Sequence, residues 1–333
     1  MKRSSLVSTD TELKNSFQSR RHPVKGYLYI AASSLFWGIS ASLGRAAFTG
    51  RLLHGHPLSP IDPVILAQSR TTISALILLP TLLAVRGPKA FRMAWRDVLL
   101  CVVVGVAGMA ASNYFYYYAI QKTTVATAII LQYTAPIWVL LYMIARRLQR
   151  ATLKRVSSVF LAVFGCALAV GLLSGDIKIQ SAGVIAAEIA SVSFALYNII
   201  AARLVKEYDR WVVLAYVLAG AALFWLFVNP PSRIVRAHYS HEQWIFMGVF
   251  AIVSILLPFS CYVGGLHHLD ATRTIVTSCL EPVFTVVIAA VSLGELIGPA
   301  QVIGMALVLV STVLVQLPDK RRSEQAAIVE PIE

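Results

Sequence analysis

Apolar residues in this chain come in blocks of about twenty, separated by short polar connections. At 1.5 Å rise per residue, a helix of that length crosses the roughly 30 Å hydrocarbon core of a bilayer. Ten such helices are predicted, over about residues 27–48, 62–85, 97–119, 123–145, 154–174, 181–202, 211–229, 244–266, 271–292 and 298–317. A β-barrel would need alternating segments of about ten residues, a pattern the chain lacks. The expected fold class is therefore all-α, a polytopic membrane protein with ten transmembrane helices. No connection is long enough to hold an inserted soluble domain. Residues 1–26 have neither the apolar core nor the small-residue cleavage site of a signal peptide, and they read as a cytoplasmic tail. Residues 318–333 form a second polar tail, expected to be disordered.

Composition agrees with this class. Of 333 residues, 57% are hydrophobic and 14% charged, where a soluble domain carries about 25% charged residues. The net charge of +13 lies in short loops and tails, so no nucleic-acid partner is expected and membrane lipid is the expected surroundings. With the N-terminus in the cytoplasm, the cytoplasmic side holds 21 Lys and Arg at or outside the span ends and the opposite side 5. That asymmetry is the positive-inside rule, so both termini are placed in the cytoplasm of a plasma (inner) membrane protein. Cys101, Cys166, Cys261 and Cys279 all fall inside apolar spans and read as small buried hydrophobes.

The chain also repeats. A shift of 146 lays Tyr116 on Tyr262 and Pro136 on Pro282, and a shift of 157 lays Gly26 on Gly183 and Ser34 on Ser191. Each half, 27–174 and 181–317, holds five predicted spans. An odd number turns the second half upside down relative to the first, the inverted-topology repeat in which secondary transporters place a site near the membrane midplane.

Polar residues inside spans are the candidates for such a site. Thr274, Thr277, Glu281 and Thr285 share one helical face of the ninth span, and Pro282 follows the acid directly. An acid at that depth is costly unless it faces protein or water. A proline there kinks the helix. Pro136 takes the corresponding place in the fourth span. The sixth span carries Glu188, Ser191 and Asn198 on one face, and the first carries Ser33, Trp37, Ser40 and Gly44. The third span contributes Asn113 and the aromatic run through Tyr117 and Tyr118, and the fourth gives Thr127, Gln132, Tyr133 and Trp138. Hydroxyl, amide and aromatic groups on converging faces make a small-molecule pocket. The candidate substrate-binding set is Trp37, Ser40, Asn113, Tyr117, Gln132, Tyr133, Glu188, Ser191, Asn198, Tyr262, Thr277 and Glu281. Competing roles are interface anchoring for Tyr117, Tyr118 and Trp138, and close helix packing for Ser33, Ser40 and Ser191.

Charges are scarcer and more informative. Glu281 and Glu188 are candidate proton carriers, or else structural acids paired with an arginine. Arg70, deep in the second span, either binds a substrate carboxylate or ties two helices together; the second is preferred. Arg45 and Arg273 lie close enough to span ends to snorkel. Asp62 is expected to cap the second span, and Glu295 falls in the loop after the ninth. His54, His56, His238, His241, His267 and His268 sit in loops without metal-ligand spacing, so no metal is expected. Neither a cofactor motif nor a catalytic constellation is present, and an enzyme is not expected.

Several of these features together resemble a known family. They are the Trp37-Gly38 pair in the first span, Arg70 in the second, the alanine-spaced run into Pro136, and the Glu281-Pro282…Gly294-Glu295 string. They look like the EamA-like branch of the drug/metabolite transporter superfamily. One departure is the Arg146-Arg147-Leu148 corner where the second half reads Leu293-Gly294-Glu295. The resemblance implies a secondary transporter, an exporter of small organic metabolites. The aromatic residues suggest amino-acid-like or aromatic, drug-like solutes, which the resemblance permits, and Glu281 and Glu188 make a proton the candidate coupling ion. It implies a cavity walled by spans 1, 3, 4, 6, 8 and 9. Rocking of spans 3–4 and 8–9 would open it to alternate sides, with Gly105, Gly108, Gly264, Gly265, Pro136, Pro258 and Pro282 as flexible or kinked points. An uncoupled facilitator, or a non-transporting receptor or scaffold, is the alternative.

Overall fold

The computed structural model describes residues 22–48, 60–123, 125–172, 180–293 and 296–317. Arg45's side chain, His54, His56, Gly294 and Glu295 lie outside the described residues. Ten long helical segments follow one another: α1 (Pro23–Phe48), α2 (Pro63–Arg86), α3 (Trp95–Lys122), α4 in two pieces (α4a Val125–Gln132, α4b Ala135–Ala145), α5 (Leu153–Val170), α6 (Ser181–Glu207), α7 (Arg210–Val228), α8 (His241–His268), α9 in two pieces (α9a Ala271–Ser278, α9b Leu280–Leu293) and α10 (Pro299–Gln316). Among the described residues, the nine segments from α2 to α10 are long and apolar enough to cross a membrane. The 26-residue α1 packs among them.

Local chemistry sets the ends and breaks. Asp62 caps α2 by accepting from the backbone N–H of Val64 at 2.8 Å and Ile65 at 3.1 Å, as expected of it. Arg273, one of the two arginines expected near span ends, pairs with Asp270 at 3.5 Å. The breaks in α4 and α9 follow from proline. A proline has no N–H for the carbonyl four residues back and its ring clashes with that carbonyl. Counting four back from Pro136 and Pro282 gives Gln132 and Ser278, the last residues of α4a and α9a. The Ser278 carbonyl freed in this way accepts from Ser34 Oγ of α1 at 3.3 Å. α3 and α8 also correspond, each holding a π-helical stretch, Val104–Ala110 and Ile252–Leu256. Pro258 explains the second of these, because its missing N–H loosens the turn before it.

The two halves interlock by exchange. α1 packs mainly on α8 and α9, and α6 on α3 and α4; α2 meets α7 and α8, while α7 meets α3; α5 and α10 pair with each other. Swapping the halves leaves this pattern unchanged, which is a two-fold pseudo-symmetry. It extends to single hydrogen bonds. Ser112 Oγ of α3 donates to the Ala190 carbonyl of α6 at 2.9 Å, and at the equivalent positions Ser33 Oγ of α1 donates to the Pro258 carbonyl of α8 at 2.9 Å. A Cβ added to Gly26 would lie 2.7 Å from Leu269, and one added to Gly183 would lie 2.4 Å from Thr123, the equivalent of Leu269. Small residues at these crossings let backbones approach closely.

Gly105 and Gly265 play the same part. A Cβ on Gly105 would stand 2.2 Å from the Val217 carbonyl oxygen, and one on Gly265 2.2 Å from Ile30. These two expected flexible points are sites of close packing.

Candidate functional site

Between the halves lies a cavity of about 950 Å³. The residues that face it are Trp37 to Gly44 in the second half of α1, Met109 to Gln121 in the second half of α3, Ile129 to Pro136 up to and across the break of α4, and Phe250 to Phe259 and Ile275 to Ala289 across the middles of α8 and α9. Val170, Pro63, Leu296 and Gln301, all beside helix ends on one face of the bundle, complete the rim. The cavity therefore runs from the middle of the bundle to the face where α1, α3, α5 and α9 end. Pro23, at the start of α1, and Gln316, at the end of α10, lie at the opposite face.

Towards that opposite face the cavity stops at packed aromatic rings. The Trp37 ring lies 5.3 Å from Phe259, 5.4 Å from Tyr262 and 6.2 Å from Phe194, centre to centre. Tyr197 stacks on Phe194 at 6.1 Å and meets Phe259 edge-on at 5.5 Å. Five rings at edge-to-face and stacked distances form a plug that side chains from α1, α6 and α8 build together.

Of the sequence candidates, Trp37, Ser40, Asn113, Tyr117, Gln132, Tyr133 and Glu281 line the cavity. Ser40 is held by a 2.9 Å bond from its Oγ to the Trp37 carbonyl. Glu281 is half-buried, with the Tyr133 hydroxyl facing its carboxyl and Arg70 within Coulombic range. The break in α9 matters here, because it turns the first turn of α9b, which carries Glu281 and Pro282, into the cavity.

The other five face protein instead. Glu188 accepts from Thr134 Oγ1 at 3.2 Å and from the Trp138 indole N–H at 3.3 Å, and Thr134 also bonds Ser191 at 2.8 Å. These groups tie α6 to the broken turn of α4, beside Trp138, which is 40% exposed on the outer surface of the bundle. Asn198 donates its amide N–H to the hydroxyl of Tyr262, one of the five plug rings, and both residues are fully buried. Thr277 returns its hydroxyl to the Arg273 carbonyl at 2.7 Å. Glu188, Ser191 and Asn198 do share one face of α6, but that face meets α4 and α8. Of α6, Phe194 reaches the cavity.

Arg70, outside the candidate set, does line it. A terminal N–H of its guanidinium donates to Asn113 Oδ1, and Asn113 in turn donates to the Met109 carbonyl at 2.7 Å. The Tyr117 and Phe250 rings flank the guanidinium carbon at 5.8 and 5.9 Å. So Arg70 ties α2 to α3, as preferred from the sequence, and also presents a positive charge to the cavity. Its depth within an apolar span was the signal that marked it out.

A sequence model of the EamA-like transporter family matches residues 24–171 and again residues 181–317. This chain belongs to the EamA-like transporter family. The two consecutive matches coincide with the interlocking halves. Among EamA-like relatives, the chain is 23% identical over 309 residues to "Uncharacterized inner membrane transporter YicL" of Salmonella typhimurium, covering 91% of this chain and 98% of that one. It is 26% identical over 182 residues to "Uncharacterized transporter YcbK" of Bacillus subtilis, covering 53% and 58%. A protein of known crystal structure superposes with a TM-score of 0.70 at 19% identity, over 89% of this chain and 98% of that one, which shows a shared fold. As an EamA-like protein the chain is a multi-pass membrane transporter, and a small-molecule substrate goes with that membership.

Proposed function

We propose that this chain is a secondary transporter of the plasma (inner) membrane that exports small organic solutes by alternating access. The observation that carries the reading is the cavity itself: about 950 Å³, open at one face and closed at the other by five aromatic rings. That volume suits a metabolite-sized solute, and few polar groups on an otherwise apolar wall suit selective binding. Both termini lie in the cytoplasm, as the Lys and Arg asymmetry directs. The described conformation is then outward-open, and the plug around Trp37 is the closed inner gate. Residues 27–174 and 181–317 are the two inverted repeats, and tails 1–26 and 318–333 are cytoplasmic. Because the repeats interlock with pseudo-two-fold symmetry, exchanging their conformations would close the outer rim and part the plug. Trp37, Tyr117 and Tyr133 supply stacking walls, Asn113, Gln132 and Ser40 supply hydrogen-bonding groups, and Glu281 is the proton-carrying group.

The test is reconstitution of the purified chain into liposomes and uptake of radiolabelled solutes, amino acids and aromatic metabolites among them, with and without a pH gradient. Protein-dependent uptake that saturates is the expected result. No uptake of any solute above protein-free liposomes, under either condition, overturns the reading.

A further inference from the structure

The chemistry of the cavity wall narrows the solute further. Arg70 is the cation among the described residues lining the cavity, and Glu281 the carboxylate. A charged side chain at membrane depth costs about 2.5–3.5 kcal/mol by insertion scales and is ordinarily offset by an opposite charge. Among the described residues the ion pairs are Arg86–Asp209, Arg203–Glu207 and Arg273–Asp270, and none involves Arg70. Among the described residues no carboxylate makes a contact ion pair with it, and Glu281 of the same cavity acts on it only at Coulombic range; Asn113 fixes one terminal N–H, aromatic rings cover its faces, and its buried Nε has no hydrogen-bond partner among the described residues. A second group on the same wall is also unsatisfied. Ser254 of α8 is fully buried, lines the cavity and has no partner for its Oγ among the described residues. It lies one turn from Phe250, which packs on Arg70.

Unsatisfied buried donors cost free energy until a ligand meets them. A guanidinium with free edges matches a carboxylate, whose two oxygens accept parallel N–H bonds. A hydroxyl beside it can donate to a carboxylate oxygen as well. The neighbouring surfaces of Trp37, Tyr117 and Phe259 suit a flat apolar body. We propose that Arg70 and Ser254 form a carboxylate subsite, so that the solute is a small organic acid with an aromatic or apolar body. This rests on the reading of the cavity as the solute pathway.

The experiment measures binding of three acids and their amides, indole-3-acetate, phenylacetate and hexanoate, to the full chain in lipid nanodiscs by calorimetry. Each pair is nearly isosteric and differs in the carboxylate charge. At least one acid is expected to bind tenfold or more tightly than its amide. Arg70→Gln is expected to erase that preference, and Ser254→Ala to reduce it. Equal binding of acids and amides, no binding of any acid, or a preference that survives Arg70→Gln overturns the subsite. Should Arg70→Gln fail to fold, the acid–amide comparison on the unaltered chain decides alone. The outcome is separable from that of the transport reading. Protein that moves solutes without preferring acids loses the subsite only, and protein that prefers acids yet moves nothing in liposomes loses the transport reading only.

Discussion

Replacing Glu281 by Gln tests the proposed proton coupling quantitatively. The side chain keeps its shape and its place opposite Tyr133, and only the ability to bind and release a proton is lost. Among the described residues lining the cavity Glu281 is the carboxylate, so a cycle that uses it moves at most one proton per solute. A gradient of one pH unit is worth about 1.4 kcal/mol for one proton. That supports at most about a tenfold difference in solute concentration across the membrane. The assay is solute accumulation in liposomes under a one-unit pH step, with the membrane potential clamped at zero by potassium and valinomycin. The unaltered chain is expected to concentrate solute up to about tenfold on the acidic side, as proton–solute exchange requires. Glu281→Gln is expected to equilibrate solute without concentrating it, while solute–solute exchange continues at a similar rate. Accumulation by the Gln variant equal to that of the unaltered chain refutes the assignment. Accumulation well beyond tenfold refutes the one-proton count.

Three further outcomes follow from the packing. Gly105→Ala places a methyl 2.2 Å from a backbone oxygen of α7, whereas Gly248→Ala meets nothing within 4 Å; the first should destabilise by about 1–3 kcal/mol and the second should be neutral or slightly stabilising, as read by unfolding in mixed detergent. Glu188→Gln weakens two hydrogen bonds that tie α6 to the turn of α4, so it should cost about 1 kcal/mol of stability and leave the transport rate and solute affinity within about twofold; a large loss of transport would place Glu188 on the solute path. Ala41 is exposed and lines the open half of the cavity, so a cysteine introduced there should react with a membrane-impermeant maleimide added outside intact cells; labelling from the cytoplasmic side alone would reverse the proposed orientation.

Much of the fold was legible in the chain because its causes are local or nearly so. Block length and apolarity fix a spanning helix wherever it sits. Proline removes the hydrogen bond to the carbonyl four residues back, so Pro136 and Pro282 mark kinks that the structure shows as breaks after Gln132 and Ser278, whereas Pro80 sits inside an unbroken α2. Asp62 caps from within its own turn. The weak pairing of Gly26 with Gly183 reappears as equivalent close approaches in the two halves, and Ser34 and Ser191 each bond the broken turn of the other half's proline-bearing helix, at different residues.

The direction a helix face points is a different matter. Spacing put Glu188, Ser191 and Asn198 on one side of α6, but a period of 3.6 residues says only that they share a side. That side meets Thr134, Trp138 and Tyr262, residues fifty or more positions away in sequence. Arg70 shows the same limit, since its depth marked it as exceptional and only the packing of α3 and α8 around it decided that its charge faces the cavity. Ten helices, the places where proline weakens two of them and the two-fold repetition could be read from the chain alone, because hydrophobic length and backbone hydrogen bonding act within a helix. The tertiary structure decided which polar groups meet water and which meet protein, because that depends on where the exchanged helices of the other half come to rest.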